Sequence, residues 1–201
     1  MAPSPLDKKT LRKELRQRRR AIHPKVHADR STRAAAAIAR LPAFKAGSRV
    51  AIYLPFDREA DTAALVTAAR RRGVRIFVPV ICDLRHRRLR FHPLLGATRR
   101  GTYGIFVPER TRTWTEPRWL DLIVVPLVGV DAEGRRLGMG GGFYDRALAF
   151  RRPRSHWKGP RLIGFGFDCQ VEHSVHADPW DVRLDGMATE SGLKVFSSRG
   201  P

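Results

Sequence analysis

Apolar positions recur at helical spacing near the start of the chain, then shift to short uninterrupted runs between residues 42 and 49. Across 6–22, Leu11, Leu15 and Ile22 fall on one stripe, while Lys8, Lys9, Arg12, Lys13, Arg16, Arg18, Arg19 and Arg20 fill the remaining faces. This spacing predicts an amphipathic helix. An Ala-rich stretch over about 28–41 predicts a second helix, ending before Pro42, because proline lacks the N–H that would continue it. Arg49-Val-Ala-Ile-Tyr-Leu54 is a short β-branched run of the kind buried in a parallel sheet. A third helix is expected from Asp61, as its N-cap, through Ala63, Leu65, Val66 and Ala69 to Gly73. Val74 to Ile81 reads as the next strand, with Pro79 marking its end. Residues 88–94 are polar enough for an edge strand, and Leu120-Asp-Leu-Ile-Val-Val-Pro-Leu-Val-Gly-Val130 predicts a central one. A Gly-rich loop over 134–142, a short helix from Phe143 to about Phe150 and a basic linker over 151–160 follow. Arg161-Leu-Ile-Gly-Phe-Gly-Phe167 is the last clear strand.

Strands that alternate with helices imply an α/β fold: a single domain with a mostly parallel central sheet flanked by helices and right-handed crossovers. We assign residues 1–190 to this domain, with a basic N-terminal helical segment at about 6–41, and read the polar residues 191–201 as a flexible tail. The chain has 201 residues, enough for one full core.

Charge complicates this picture. Lys and Arg number 39 against 19 acids, a formal charge of +20, and only seven of the 39 are Lys. Such an excess suggests a nucleic-acid partner. Arg, Ala, Gly and Pro also share G/C-rich codons, so compositional bias is a second source. Apolar residues at 42% exclude a disordered polyelectrolyte. No run approaches the ~20 apolar residues of a membrane span, and no apolar core follows the basic start, so no secretory signal is read there. Cys82 and Cys169 make no disulfide framework. The expectation is a cytoplasmic, soluble monomer with no membrane partner.

The densest chemical signal is Asp131-Ala-Glu-Gly-Arg-Arg-Leu-Gly-Met-Gly-Gly-Gly-Phe-Tyr-Asp-Arg146, which follows the most apolar strand and opens a helix. Gly138, Gly140, Gly141 and Gly142 let backbone N–H groups turn toward an anion, and the helix start adds unpaired donors. Phosphate is the natural occupant, with Arg135 and Arg136 available to clamp it. The loop is not a Walker A motif, since no Gly-Lys-Ser/Thr occurs. Nor is it the dinucleotide fingerprint, which would need glycine at Phe143. A carboxylate at Asp145 beside bound phosphates calls for Mg²⁺ between them. Cys169, His173 and His176 lack the ligand number and spacing of a zinc site. With no nucleophile-elbow Ser or Cys, phosphoryl transfer by positioning is the chemistry indicated.

Gly134-Arg-Arg-Leu-Gly-Met-Gly-Gly-Gly-Phe-Tyr-Asp-Arg146 resembles the corresponding motif of the 5-formyltetrahydrofolate cyclo-ligase (5,10-methenyltetrahydrofolate synthetase) family. The resemblance continues through Lys8-Lys-Thr-Leu-Arg12, Tyr53-Leu-Pro-Phe-Asp-Arg-Glu-Ala-Asp-Thr62, Tyr103-Gly-Ile-Phe-Val-Pro-Glu109 and Asp121-Leu-Ile-Val-Val-Pro126. It ends with Gly164-Phe-Gly-Phe-Asp-Cys-Gln170, Trp180-Asp-Val-Arg-Leu-Asp185 and Ala188-Thr-Glu190. It implies a C–N bond-forming ligase that closes 5-formyltetrahydrofolate, with or without a polyglutamyl tail, to 5,10-methenyltetrahydrofolate. ATP is the co-substrate and Mg²⁺ the cofactor. It further implies that Lys8, Lys9, Arg12 and Arg136, Leu137, Gly138, Met139, Gly140, Gly141, Gly142, Phe143 and Tyr144 contact ATP. Leu54, Glu59 and residues Met139 to Phe143 would border the folate, with Glu59 on the pterin's amino-pyrimidine edge. Asp145 and Asp181 would hold Mg²⁺, and Arg136, Tyr144 and Asp145 would be catalytic. Two departures stand out: the basic residues some members carry at the positions of Met139 and Gly141 are absent, and Phe143 stands where many have Tyr. The alternatives are a basic nucleic-acid-binding protein and a family paralogue acting on another substrate.

Overall fold

Asp7 starts the first helix. Its carboxylate accepts from the N–H groups of Lys9 at 2.7 Å and Thr10 at 2.8 Å, two of the donors a helix start leaves unpaired, and α1 runs Lys8–Arg20. The computed structural model describes residues 7–109, 112–151 and 159–196. Helix α2 (Pro24–Ala39) begins a turn earlier than its alanines suggest, because a proline in the first helical turn loses no hydrogen bond. The strands that follow are β1 (Arg49–Ala51), β2 (Arg75–Asp83), β3 (Arg88–Pro93), β4 (Thr98–Arg100) and β5 (Phe106–Pro108). Next come β6 (Leu122–Pro126), β7 (Gly129–Val130), β8 (Arg136–Leu137), β9 (Arg161–Phe165), β10 (Gly186–Thr189) and β11 (Gly192–Val195). Helix α3 (Ala63–Arg71) links β1 to β2, and α4 (Phe143–Ala147) lies between β8 and β9.

Seven strands form one sheet in the order β11-β10-β9-β6-β1-β2-β3. The five inner strands pair in parallel, and both edge strands, β11 and β3, pair antiparallel to their neighbours. The apolar run in β6 is continuous because both faces are covered. Leu122 and Val124 join Ile38, Leu65 and Phe165 on one side, while Ile123 and Val125 join Phe91, Leu162 and Met187 on the other. A third, smaller cluster of Leu11, Leu15, Val128, Leu137 and Val175 docks α1 beside the sheet.

Several expectations need correction. Pro79 lies inside β2, opposite Phe91, and does not end it. The Ile76 carbonyl accepts from Leu94 of the β3 side and the Phe77 carbonyl from Ile52 of the β1 side. Alternation therefore turns the Pro79 nitrogen toward β1, beyond the point where β1 has stopped, so no ladder donor is lost. The run over 120–130 is two elements. Proline at 126 closes β6, and Gln170 Nε2 donates to the Leu127 and Val128 carbonyls at 2.9 and 3.1 Å. The chain then turns into a hairpin of β7 with β8. At Gly129 a Cβ would sit 2.5 Å from Leu15 Cδ1, so any larger residue would have to displace that buried leucine. The expected tail is in part a strand: Gly192–Val195 pairs with β10, and 197–201 lie outside the described residues. So do 1–6 and most of the basic linker, 152–158. The Asp61 carboxylate does accept from Ala63 N–H at 2.8 Å, although the helix begins one residue later, after Thr62. Among the described residues, no helix is long and apolar enough to cross a membrane.

Candidate active site

A pocket of about 1140 Å³ opens at the carboxyl ends of β1, β2 and β6, where Leu54, Ile81 and Pro126 line it. Ligand crevices of open α/β sheets form at this edge. The Gly-rich loop forms one wall, the segment between β1 and α3 a second, and the first turn of α1 a third. Gly140 at φ 97° and Gly142 at φ 67° have left-handed backbone, which glycine adopts without a Cβ clash. Arg12 crosses the loop, donating from Nε to the Gly138 carbonyl at 2.9 Å. Helix α4 is a single short turn, shorter than the expected 143–150 because a 3₁₀ turn, Ala149–Arg151, replaces its second half. Its dipole is correspondingly weak, so an anion held here would depend on loop amides and on cations brought from elsewhere.

Those cations are held by acids. Lys8 Nζ lies 2.5 Å from Asp178 Oδ2 and 3.6 Å from Asp181 Oδ2. Arg136 is buried, donates to Asp145 Oδ1 at 2.8 Å and lies over the Tyr144 ring. Val182 N–H also reaches Asp145 Oδ1, at 3.4 Å, and Asp181 Oδ2 accepts from Asp178 N–H at 2.8 Å. Asp145 and Asp181 thus line the same pocket. Among the described residues no three His, Cys, Asp or Glu side chains gather as a metal cage. Two carboxylates nonetheless suit Mg²⁺ carried on a nucleotide, which takes its remaining oxygens from phosphate and water.

The opposite wall holds Glu59. Its Oε2 accepts from Phe56 N–H at 3.1 Å. Burial pushes its carboxyl up to about 7, against the pull of that N–H and of Arg19. Tyr144 faces the same space. Its hydroxyl is buried with no hydrogen-bond partner among the described residues, and a buried polar group left unpaired costs ~1–3 kcal/mol. Burial, reinforced by Glu59, raises the phenol above its ordinary value.

The structure brings Lys8, Arg12, Leu54, Glu59, Arg136 to Asp145, and Asp181 to one pocket. It does not bring Lys9, which is exposed on the neighbouring face of α1; Lys9→Ala is expected to leave the KM for ATP within about twofold, measured by steady-state kinetics. Arg135 is also elsewhere, tied to Asp131 at 2.7 Å and Glu133 at 2.5 Å. Sequence reasoning missed Asp178, although Asp178-Pro-Trp-Asp181 carries a visible turn signal. It also missed Asp57, which lies outside the pocket lining and for which no local signal exists.

Comparisons with known proteins bear on the family and the fold. The 5-formyltetrahydrofolate cyclo-ligase of Escherichia coli strain K12 is 34% identical over 181 residues, covering 88% of this chain and 97% of the relative. That of Mycolicibacterium smegmatis is 29% identical, covering 92% and 95%. The NMR structure of Aquifex aeolicus 5,10-methenyltetrahydrofolate synthetase superposes with a TM-score of 0.80 at 25% identity, covering 98% and 96%. The Mycoplasma pneumoniae 5,10-methenyltetrahydrofolate synthetase, at 23% identity and a TM-score of 0.71 over 92% and 99%, speaks to the fold alone. Residues 5–190 match the sequence profile described as the 5-formyltetrahydrofolate cyclo-ligase family, and with that span and these relatives the chain belongs to it.

Proposed function

We propose that this protein closes 5-formyltetrahydrofolate to 5,10-methenyltetrahydrofolate at the expense of ATP, releasing ADP and phosphate. The observation that carries this reading is one pocket with two unlike walls: a glycine loop with Lys8 and Arg12 on one side, and the half-buried carboxyl of Glu59 on the other. The first suits a polyphosphate and the second the donor edge of a pterin.

The formyl oxygen attacks the γ-phosphorus and ADP leaves. The folate's second amine nitrogen then attacks the formyl carbon and loses its proton, and phosphate departs with the oxygen. The protein's task is to place two substrates in line and meet the charge that develops. Loop amides and Arg12 hold the phosphates, supplying what basic side chains at positions 139 and 141 would otherwise add. Glu59, ionised, accepts from the amino-pyrimidine edge and fixes the ring. The Tyr144 hydroxyl, unpartnered among the described residues, is available to a bound substrate. Arg136 orients Asp145 through their ion pair. Mg²⁺, held by Asp145 and Asp181 together with the nucleotide, would neutralise phosphoryl charge.

Incubation with Mg²⁺, ATP and 5-formyltetrahydrofolate is expected to yield the methenyl chromophore and ADP in equal amounts. Folded protein that yields neither would overturn the reading. ADP formed without chromophore would indicate another acceptor for the phosphoryl group.

A further inference from the structure

The last turn of α1 encloses a single carboxylate. Arg16 donates to Asp57 Oδ2 from Nε at 3.0 Å and from Nη2 at 2.8 Å. Arg20 donates to Oδ1 from Nε at 3.0 Å and also from Nη2. Arg19, only 1% exposed, donates from Nη2 to the Asp57 carbonyl at 2.7 Å and from Nη1 to the Leu127 carbonyl at 3.4 Å. Burial opposes the Asp57 charge, but Arg20 and Arg16 outweigh it and hold the carboxyl below its ordinary value. An arginine this buried is costly unless its charge is met, and Asp57 and Glu59 are the acids that face it.

This cluster lies on a continuous line. Lys8, Arg12, Arg16 and Arg19/Arg20 follow one another at helical spacing, over a helix about 20 Å long. Its first turn reaches the nucleotide wall and its last turn the loop that carries Glu59. That loop is strained: Asp57 and Arg58 are consecutive non-glycine residues with φ of 50° and 62°, a conformation that must be held from outside. The holding groups are the three arginines, the Ile22 carbonyl, which accepts from Arg58 Nη2, and His27 Nε2, which donates to the Arg58 carbonyl at 3.2 Å.

Resting on the proposed function, we infer that Asp57 is a positioning residue that couples the two substrates. By fastening the Glu59 loop to the far end of α1, it makes occupation of either wall order the other. Coupling of this kind is reciprocal, so bound 5-formyltetrahydrofolate tightens the nucleotide and bound nucleotide tightens the folate.

Asp57→Asn tests this with little backbone disturbance, because asparagine tolerates the left-handed region as aspartate does. Calorimetric titration of the full chain with the β,γ-imido analogue of ATP, with and without 5-formyltetrahydrofolate, reads the coupling directly. In the unmodified protein the folate is expected to lower the analogue's Kd ~5-fold or more; in Asp57→Asn the effect should fall below about twofold. The pH dependence gives a second readout that loss of packing alone would not move. Glu59 faces Arg19, Asp57, Tyr53 and Tyr144. Removing the Asp57 charge takes away a like-charged neighbour, so the acid limb of folate binding should move to lower pH. If Asp57→Asn does not fold, the double variant Arg16→Gln/Arg20→Gln, which keeps buried Arg19 and its acid, should show the same loss of coupling in weaker form. Coupling undiminished in a folded variant would overturn the inference while leaving the proposed reaction standing. Failure of the unmodified protein to bind the folate at all would overturn both.

Discussion

Asp145→Asn is expected to lower kcat by ~10²-fold or more, the scale of losing a metal-positioned contact to a transferring phosphoryl group, while leaving the fold intact. The substitution keeps the shape of the side chain and an oxygen for Arg136 Nη2 and Val182 N–H, both of which reach Oδ1. It removes the charge that pairs with Arg136 at 2.8 Å. Two consequences oppose one another in nucleotide binding. A neutral amide is a poorer ligand for Mg²⁺, and Arg136, 7% exposed at its side chain, is left without its counter-charge and is drawn toward the phosphates. The KM for ATP should therefore change less than kcat, because the new attraction of Arg136 offsets part of the lost metal contact in the ground state. Steady-state kinetics across Mg²⁺ concentrations, with circular dichroism as a check on folding, measures both. A kcat within about threefold of the unmodified protein would remove Asp145 from the mechanism.

How far the sequence could be read depended on whether a feature is local. Short apolar runs marked β1, β2, β6 and β9, and in β6 and β9 burial on both faces leaves no polar alternation to confuse the period. The glycine loop was legible for the same reason: its chemistry is written in adjacent positions. The β4–β5 hairpin was not, since Thr98-Arg-Arg100 is exposed along its whole length and presents no apolar side. Nor was β10, whose Gly186-Met-Ala-Thr189 is buried at every position although it has little intrinsic strand preference; tertiary context decides there. The arginines show the limit most sharply. In sequence, Arg16, Arg19 and Arg20 belong to the polar faces of a surface helix, and bias toward Arg explains them as well as function does. In the structure they enclose Asp57, Arg18 meets Glu172, Arg30 meets Glu190 and Arg151 meets Asp185. These ion pairs account for particular arginines but leave the net charge of +20 unchanged. No local pattern announces which arginine will find a distant acid.

The second large effect concerns Glu59, where function and stability are expected to oppose one another. The carboxyl is raised from 4.5 to about 7 in the folded chain, chiefly by burial. Its contribution to stability is therefore complete below pH 4.5, where the acid is neutral in both states, and is lost as pH rises through 7. By linkage the loss amounts to about 3 kcal/mol. Glu59→Gln cannot ionise, so at pH 8 it should be more stable than the unmodified protein by up to ~3 kcal/mol. At pH 4.5 the two should be nearly equal. Urea denaturation at the two pH values reads this difference. Catalysis should move the other way. On the proposed reading the ionised carboxylate would accept two hydrogen bonds from the pterin edge, each worth ~1.5–3 kcal/mol when charged. An amide can accept only one, and its NH₂ would face a donor. A fall of ~10²–10³ in kcat/KM for 5-formyltetrahydrofolate follows, with the KM for ATP altered far less. The pH profile separates this from a packing effect: kcat/KM for the folate should decline below pH 7 in the unmodified protein, and that limb should vanish in Glu59→Gln. A variant that loses stability at pH 8, or keeps kcat/KM within about threefold, would show that the half-buried carboxyl is part of the scaffold and that the pterin edge is held elsewhere.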